Sequence, residues 1–361
     1  MESKTYSIIT GTGSYIPSRI VKNEDFVRND FHESTGVKVE KSALEISKKF
    51  QEITTIFERR YITETMITSD MAYLAAEQAI LAAKIQKEEL DYIIVATNFG
   101  DTTATNRASD HIPAMASKVK QKLGIQNPDT VAYDITFGCP GWLQALIQAD
   151  YFIKSGDAIK ILVIGAEVLS RICDPHDRDC MLYADGAAAV VLEAVESTTP
   201  VGIIAHKTRS DTFNHAGLLY MGSSYNPDFE NPNDLFLKMN GRRLYQYALE
   251  TVPKAIKACL DKSGFSITEL KKVLIHQANG KMDEAILKRF YGLYQIEDIP
   301  EHIMPMTVHK YGNSSVATLP TLLDLILNHK LENQHIKAGD VLVFASVGAG
   351  MNINAMVYKM R

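Results

Sequence analysis

Tyr92-Ile93-Ile94-Val95-Ala96 is an unbroken apolar run of largely β-favouring residues. A strand with one face in water alternates apolar and polar residues; this one does not, so both its faces should be covered. Helices on the two sides of a sheet give that cover, and the neighbouring sequence supplies them. Upstream, Ser69-Asp70 reads as a helix start, and the Ala/Leu/Ile-rich stretch to Ala83 as a buried helix. Before it, Tyr6–Thr10 reads as a strand ending in Gly11-Thr12-Gly13. Downstream, Trp142–Lys154 reads as a helix closed by Ser155-Gly156, and strands follow at Ile159–Ile164 and Ala187–Leu192. Polar Glu193–Pro200 breaks the pattern, which then resumes. Strand Val201–Ala205, helix Arg243–Lys262, strand Lys272–Ile275, helices Met282–Tyr291 and Leu319–His329, and strand Val341–Ser346 complete it. The alternation predicts α/β architecture, and two halves of similar content, 1–195 and 196–361, suggest a duplication. Asn29–Lys48 is charged and mixed. Arg209–Asn240 is rich in Ser, Asn, Asp and Gly, and reads as loops over a surface or a site mouth.

Composition narrows the class. Of 361 residues, 46% are hydrophobic and 22% charged, the balance of an ordinary globular protein, not of a disordered chain, coiled coil or collagen. The net charge of −5 argues against a general nucleic-acid binder. No apolar run approaches the ~20 residues that span a bilayer. Met1–Gly13 lacks the apolar stretch of a signal peptide, so a cytoplasmic location is expected. The four cysteines, Cys139, Cys173, Cys180 and Cys259, are too irregularly spaced for a disulfide framework, which also fits a reducing cytosol.

Cys139 sits in Phe137-Gly138-Cys139-Pro140-Gly141-Trp142, directly before an apolar helix. A helix N-terminus favours the thiolate and offers N–H groups to an oxyanion, although most free cysteines are only buried packing. His276 lies in Ile275-His276-Gln277-Ala278-Asn279 at the end of a strand, where α/β proteins place reactive groups. Taken alone, without a partner, it reads better as a satisfied core histidine. Asn313 lies in Gly312-Asn313-Ser314-Ser315, which alone reads as a turn. Val347-Gly348-Ala349-Gly350 follows a strand with residues small enough for close backbone approach. Together these supply a nucleophile, an imidazole, an amide donor and a glycine-rich backbone. Gly11-Thr12-Gly13 is no dinucleotide loop, because Ile16 stands at the third glycine position. His176 and Cys180, with Asp174, Asp177 and Asp179, complete no metal set, and no metal site is expected.

In this order the segments resemble the β-ketoacyl-acyl carrier protein synthase III (KAS III) family of thiolase-like condensing enzymes. The likeness runs from Gly11–Pro17 through Glu58-Arg59-Arg60-Tyr61, the Cys139 segment, Cys173–Arg178, Asp185-Gly186-Ala187, His276–Asn279 and Gly312–Ser315 to Gly348–Gly350. It implies a five-layered α/β/α/β/α thiolase fold of two related halves, working as a homodimer. It implies that Cys139 takes an acyl group as a thioester. A malonyl- or other carboxylated acyl-ACP then loses CO2 and attacks it. His276 and Asn313 would stabilise the enolate, and the N–H groups of Cys139 and Gly350 would form the oxyanion hole. Phe50, Arg178 and Asn279 would contact CoA or pantetheine. Ile112 and Trp142 would shape the acyl pocket. Lys281, Lys288 and Arg289 match basic sites that dock acidic acyl carrier protein. No cofactor is implied; CoA or phosphopantetheine thioesters are substrates.

The departures from the family pattern point away from acetyl-CoA priming. Phe50 and Thr54 replace a Trp and an Arg, while Arg178 is retained. Pro140-Gly141-Trp142 replaces small residues, Arg242 stands where Asn is frequent, and Asn29–Lys48 is longer than usual. Ile112 replaces a Phe that the partner subunit contributes in acetyl-selective members. A second expectation is therefore a specialised ketosynthase using longer acyl or β-ketoacyl substrates for a lipid-like or aromatic product, such as a dialkylresorcinol. A papain-like hydrolase shares the Cys…His…Asn order but needs a CGSCW-type signature that is missing here. An inactive partner subunit would be expected to lack the nucleophile.

Overall fold

The computed structural model describes residues 2–361. The first half contains β1 (Lys4–Tyr15), β2 (Arg19–Lys22), α1 (Ala43–Thr54), β3 (Glu58–Tyr61), α2 (Thr68–Ala83), β4 (Tyr92–Ala96), α3 (Met115–Leu123), β5 (Val131–Ile135), α4 (Gly141–Ser155), β6 (Lys160–Val168) and β7 (Asp185–Ser197). The second contains β8 (Gly202–Ser210), α5 (Thr212–His215), β9 (Leu219–Gly222), β10 (Phe236–Met239), α6 (Gly241–Ser263) and β11 (Leu270–Ile275). It continues through α7 (Gly280–Gly292), α8 (Val308–Tyr311), α9 (Thr318–Leu327), β12 (Val341–Gly348) and β13 (Asn352–Lys359).

Two sheets carry the fold, in the orders β1-β7-β6-β4-β5 and β11-β12-β13-β8. The run β1-β7-β6-β4 pairs antiparallel, antiparallel, parallel. The run β8-β13-β12-β11 repeats those pairings in the same sequence. The duplication is therefore visible in topology although no residue repeat marks it.

Burial stacks the layers. Side chains of α2 and α3 pack on one face of the first sheet. Those of α4 and α9 fill the space between the sheets, touching Ile94 and Val163 on one side and Leu342 and Phe344 on the other. Side chains of α6 and α7 cover the far face of the second sheet. The result is the expected α/β/α/β/α order. Ile93, Ile94, Val95 and Ala96 are fully buried, as an unbroken apolar run between two helical layers requires.

Gly11-Thr12-Gly13 corrects one expectation. The strand does not end there; β1 continues to Tyr15. A side chain at Gly11 or Gly13 would run into the backbone of α2 at Ala79 or Ala75. These glycines let the helix lie on the strand rather than turn the chain. The segments read as loops also hold structure. α1 begins within 29–48 behind a capping box, Ser42 with Glu45, and β9 pairs with β10 inside 209–240. The candidate metal cluster has another role. Asp174 and Asp177 hold buried Lys238 of β10 at 2.6 and 3.3 Å, pinning that hairpin to the loop after β6. Among the described residues, no group of three or more metal-type side chains forms a site, and no helix is long and apolar enough to cross a membrane.

Asp283 of α7 is fully buried, and neither carboxyl oxygen has a partner. Burial raises its pKa well above the usual range, so it is neutral in the folded chain. The unfolded carboxyl ionises above about pH 4, so the folded state loses stability as pH rises from there. Asp283→Asn is expected to raise the melting temperature by a few degrees at about pH 7 and by less at about pH 5. Thermal unfolding at the two pH values checks this.

Candidate active site

Three elements bring the reactive residues together. Cys139 lies between β5 and α4, with Pro140 as the helix N-cap. His276 follows β11, and its N–H donates to the Ala345 carbonyl at 2.8 Å. Gln277 anchors that strand end, accepting from the Thr307 and Val308 N–H groups at 2.8 and 3.0 Å. Asn313 precedes the turn that leads into α9. Cys139, His276 and Asn313 all line one cavity of about 1340 Å³. That volume exceeds the ~300–1,000 Å³ of most small-molecule sites. Cys139 comes from the first half of the chain and His276 and Asn313 from the second, so packing of the two halves brings them together.

Each polar group has a defined state. The Asn313 Oδ1 accepts from the Ser315 N–H at 2.8 Å. Its Nδ2 has no protein acceptor among the described residues and remains a free donor. Burial lowers the His276 pKa to about 4, so the ring is neutral. Its Nδ1 is sealed without a partner. A proton there would leave an orphaned N–H, so we assign the proton to Nε2, where the ring acts as donor. Ser315 sits in the left-handed region at φ 53°, a strained setting for a non-glycine residue, and its hydroxyl donates to Cys139 Sγ at 3.5 Å.

The thiol departs from expectation. A helix terminus contributes only about 0.3–1 kcal/mol in most settings, less than one pKa unit. Burial wins: it pushes Cys139 up to about 11, against the lowering effect of the Ser315 bond. Cys139 is half-buried and open to the cavity, so the thiolate forms on demand rather than standing preformed.

Gly348 packs directly on the nucleophile. A side chain there would lie 2.5 Å from the Cys139 nitrogen and 2.7 Å from Pro140 Cδ. The same loop corrects the oxyanion assignment. Gly350, at φ 77°, does not line the cavity, and a side chain there would meet Asn352 Nδ2 at 2.9 Å. Ala349 lines the cavity instead, with its nitrogen close beside Gly138.

The remaining expected residues divide. Phe50, Arg178, Asn279 and Arg242 line the cavity. Phe50 is held by the ring-facing guanidinium of buried Arg59 at 6.0 Å. Arg178 is exposed and paired with Glu33 at 3.0 Å, so the lengthened 29–48 segment reaches the cavity mouth. Asn279 caps α7 by accepting from the Met282 N–H at 3.2 Å. Trp142 is a correction: it points into the core between the sheets, edge-on to Phe344 at 6.2 Å, and does not line the cavity. It lies on the face of α4 that packs between the layers, and the cavity lining on this segment stops at Cys139, before the helix begins. Leu169, Tyr183 and Leu237 form the apolar wall in its place. Ile112 is 88% exposed on the loop before α3 and lies outside the cavity. Lys281, Lys288 and Arg289 are exposed on α7.

Two residues were not singled out in the sequence. Glu167 of β6 is fully buried and accepts from Asn98 Nδ2 at 2.7 Å and from the Asn98 N–H at 3.1 Å. Burial pushes it up to about 7. Asn98 in turn accepts from the Gly138 N–H at 2.9 Å and donates to Ser315 Oγ at 3.3 Å. This network ties the Cys139 loop to the Asn313 turn. Its one visible sign is a glutamate in an otherwise apolar strand, Lys160–Val168.

A duplicated five-layer fold with a cysteine, a neutral imidazole and a free amide around one apolar cavity defines a thiolase-like condensing acyltransferase. The family model for 3-oxoacyl-[acyl-carrier-protein (ACP)] synthase III matches residues 133–212, and that for its C-terminal part matches residues 260–360. A β-ketoacyl-[acyl-carrier-protein] synthase III of Hyphomonas neptunium is 32% identical over 98% of this chain and 99% of that protein. One of Ehrlichia canis is 34% identical over 96% of each. The crystal structure of a 3-oxoacyl-[acyl-carrier-protein] synthase III from Aquifex aeolicus superposes with a TM-score of 0.79 at 30% identity, covering 98% of this chain and 99% of that one. The chain belongs to the 3-oxoacyl-ACP synthase III family.

Proposed function

We propose that the chain joins a Cys139-bound acyl group to a malonyl- or other carboxylated acyl-ACP by decarboxylative Claisen condensation. The observation that carries this reading is the single cavity holding the Cys139 thiol, the His276 ring and the free Asn313 amide. Cys139 attacks the donor thioester, and the carrier leaves as its thiol with the proton from Cys139. The extender then binds with its thioester oxygen on His276 Nε2–H and Asn313 Nδ2–H. Loss of CO2 places negative charge on that oxygen, where two fixed donors stabilise it. The carbanion attacks the acyl-enzyme carbonyl, a carbon–carbon bond forms, and the Cys139 thiolate departs. The N–H groups of Cys139 and Ala349 are the donors for the second oxyanion.

The division of labour between the halves 1–195 and 196–361 follows: the first brings the nucleophile, the second the enolate donors. Exposed Lys281, Lys288 and Arg289 suit an acidic carrier protein. β5 is an unpaired edge with Val131 46% exposed, and Ile112 stands out near α3, which supports a homodimer that delivers Ile112 to the partner's cavity. Four free thiols suit a cytoplasmic protein.

The cavity favours a particular donor. The apolar wall of Leu169, Leu237, Met239 and Leu244 suits a medium or long acyl chain better than acetyl. This supports the specialised reading, including products such as a dialkylresorcinol. Intact-protein mass spectrometry with acyl-CoA and acyl-ACP donors of increasing length tests it. Longer donors are expected to load at least tenfold faster than acetyl-CoA. Preferential loading by acetyl-CoA would place the enzyme at fatty-acid initiation instead.

A further inference from the structure

Asn98 follows β4 and lines the cavity together with Cys139 and Ser315. Its side-chain amide makes three hydrogen bonds, and each partner fixes a direction. The Gly138 N–H can only donate, so the Asn98 atom it meets at 2.9 Å is Oδ1. The other end is then Nδ2, with two hydrogens. One goes to the carboxyl of buried Glu167 at 2.7 Å, the other to Ser315 Oγ at 3.3 Å. Glu167 is held in turn by the Asn98 and Phe99 N–H groups at 3.1 and 3.3 Å and by the Thr97 hydroxyl at 3.2 Å. Turning the amide over would set Nδ2 against an N–H and Oδ1 against a carboxyl, so the network admits one orientation.

That orientation decides what Ser315 does. A serine hydroxyl has one hydrogen, and the Ser315 oxygen already accepts from Asn98. Among the described residues, Cys139 Sγ at 3.5 Å is the one acceptor its hydrogen meets. The hydroxyl is held there under strain. Ser315 is 4% exposed, its backbone is left-handed at φ 53°, and its N–H is tied to Asn313 Oδ1 at 2.8 Å. A glycine would adopt this backbone freely, but it would bring no donor to the sulfur. Glu167 supplies no attraction of its own, because its charge opposes a thiolate. What reaches the sulfur through this chain is an aimed O–H dipole.

We propose that Asn98 is a positioning residue for the nucleophile: it commits the Ser315 hydroxyl to donate to Cys139 Sγ, which stabilises the sulfur as it attacks and again as it leaves. The inference deepens the acyl-enzyme reading and rests on it for the second of those moments. In loading, the Cys139 sulfur gives up its proton and bonds to the acyl carbonyl carbon. The bond from that carbon to the carrier sulfur breaks, and the carrier leaves as a thiol with that proton. In condensation the extender carbanion bonds to the same carbon, and the electron pair of the broken carbon–sulfur bond returns to Cys139 as thiolate. Ser315 exchanges no bond in either step. It meets negative charge on sulfur in both, and a hydrogen bond to a charged group is stronger than one to a neutral group.

The test follows three rates in the wild type, Ser315→Ala, Ser315→Gly, Asn98→Ala and the double variant Asn98→Ala/Ser315→Ala. They are alkylation of Cys139 by iodoacetamide, loading of Cys139 by octanoyl-ACP, and CO2 release from malonyl-ACP by enzyme already acylated. Ser315→Ala is expected to slow alkylation and loading about tenfold, the size of one hydrogen bond to a charged group, and to leave CO2 release within about twofold. Ser315→Gly relaxes the backbone and should show the same loss, since the hydroxyl and not the strain carries the effect. Asn98→Ala should slow the same two rates, and the double variant should lose less than the product of the single losses, because the two residues act through one bond. Unchanged alkylation in Ser315→Ala overturns the proposal. So does a fall of all three rates together, as for a merely structural residue, or a double loss equal to the product. Failure of octanoyl-ACP to modify wild-type Cys139 overturns the acyl-enzyme reading instead; the alkylation rates need no acyl donor and still decide whether Asn98 and Ser315 act on the sulfur.

Discussion

Cys139→Ala is expected to remove the covalent acyl adduct entirely and to lower condensation by at least about a thousandfold, since no other group near the cavity can take over a nucleophile's role. The substitution deletes one sulfur from a half-buried site; Ser315 loses its bond to that sulfur but still accepts from Asn98 Nδ2. The Asn98–Glu167 network does not use the thiol, so the fold should persist. The pH dependence of loading carries the second part of this prediction. Burial holds the thiol near about 11 in the free protein. The thiolate fraction then rises about tenfold per pH unit through the neutral range, and the wild-type acylation rate should climb with pH without a plateau below about pH 9. Loading followed by intact mass across pH checks both. An adduct that remains in Cys139→Ala would place the acyl group elsewhere.

His276→Ala and Asn313→Ala should separate the two half-reactions. Each removes one donor from the developing enolate, and loss of a single oxyanion donor typically lowers rate about 10²–10³-fold. Decarboxylation of the extender should fall by that factor in each variant while Cys139 is still acylated. The double variant should lose less than the product of the two factors, because both donors serve one oxygen. Burial holds His276 near about 4, so the ring is a neutral donor at every ordinary working pH. Decarboxylation should therefore show no acid limb near the usual histidine value of about 6.5 and decline only towards about pH 4. Measuring CO2 release against pH in the wild type tests the assignment. A limb near pH 6.5 would show that the ring titrates as an exposed histidine and acts as a base.

Much of this was legible in the chain because the informative signals were local. The unbroken run Tyr92–Ala96 points to burial on both faces, and Ile93–Ala96 are fully buried while Tyr92 at its start is partly so. Helix closure at Gly156 is a local backbone property, and the structure puts that glycine in the left-handed region at φ 83°. The three reactive residues were legible from segment order and resemblance, and the fold sets them around one cavity. What was not legible depends on partners distant in sequence. Gly11 and Gly13 look like a turn until α2 is seen lying across them. Trp142 neighbours the nucleophile in sequence, but side-chain direction on α4 sends it into the core. Ala349 and Gly350 differ by one residue, and only backbone placement tells which faces the cavity. Glu167 acquires meaning from a buried network with Asn98, which sequence periodicity does not record.

The central claim is that an acyl group on Cys139 is joined to a decarboxylated extender. The most direct measurement uses malonyl-ACP labelled in its free carboxyl, together with an acyl-ACP donor, and follows label release and product mass in the same reaction. The account predicts labelled CO2 in step with a β-ketoacyl-ACP product two carbons longer than the donor acyl group, and only after Cys139 has been loaded. Release of the donor's free acid, with the malonyl label retained and no new carbon–carbon bond, would contradict it and leave a hydrolase.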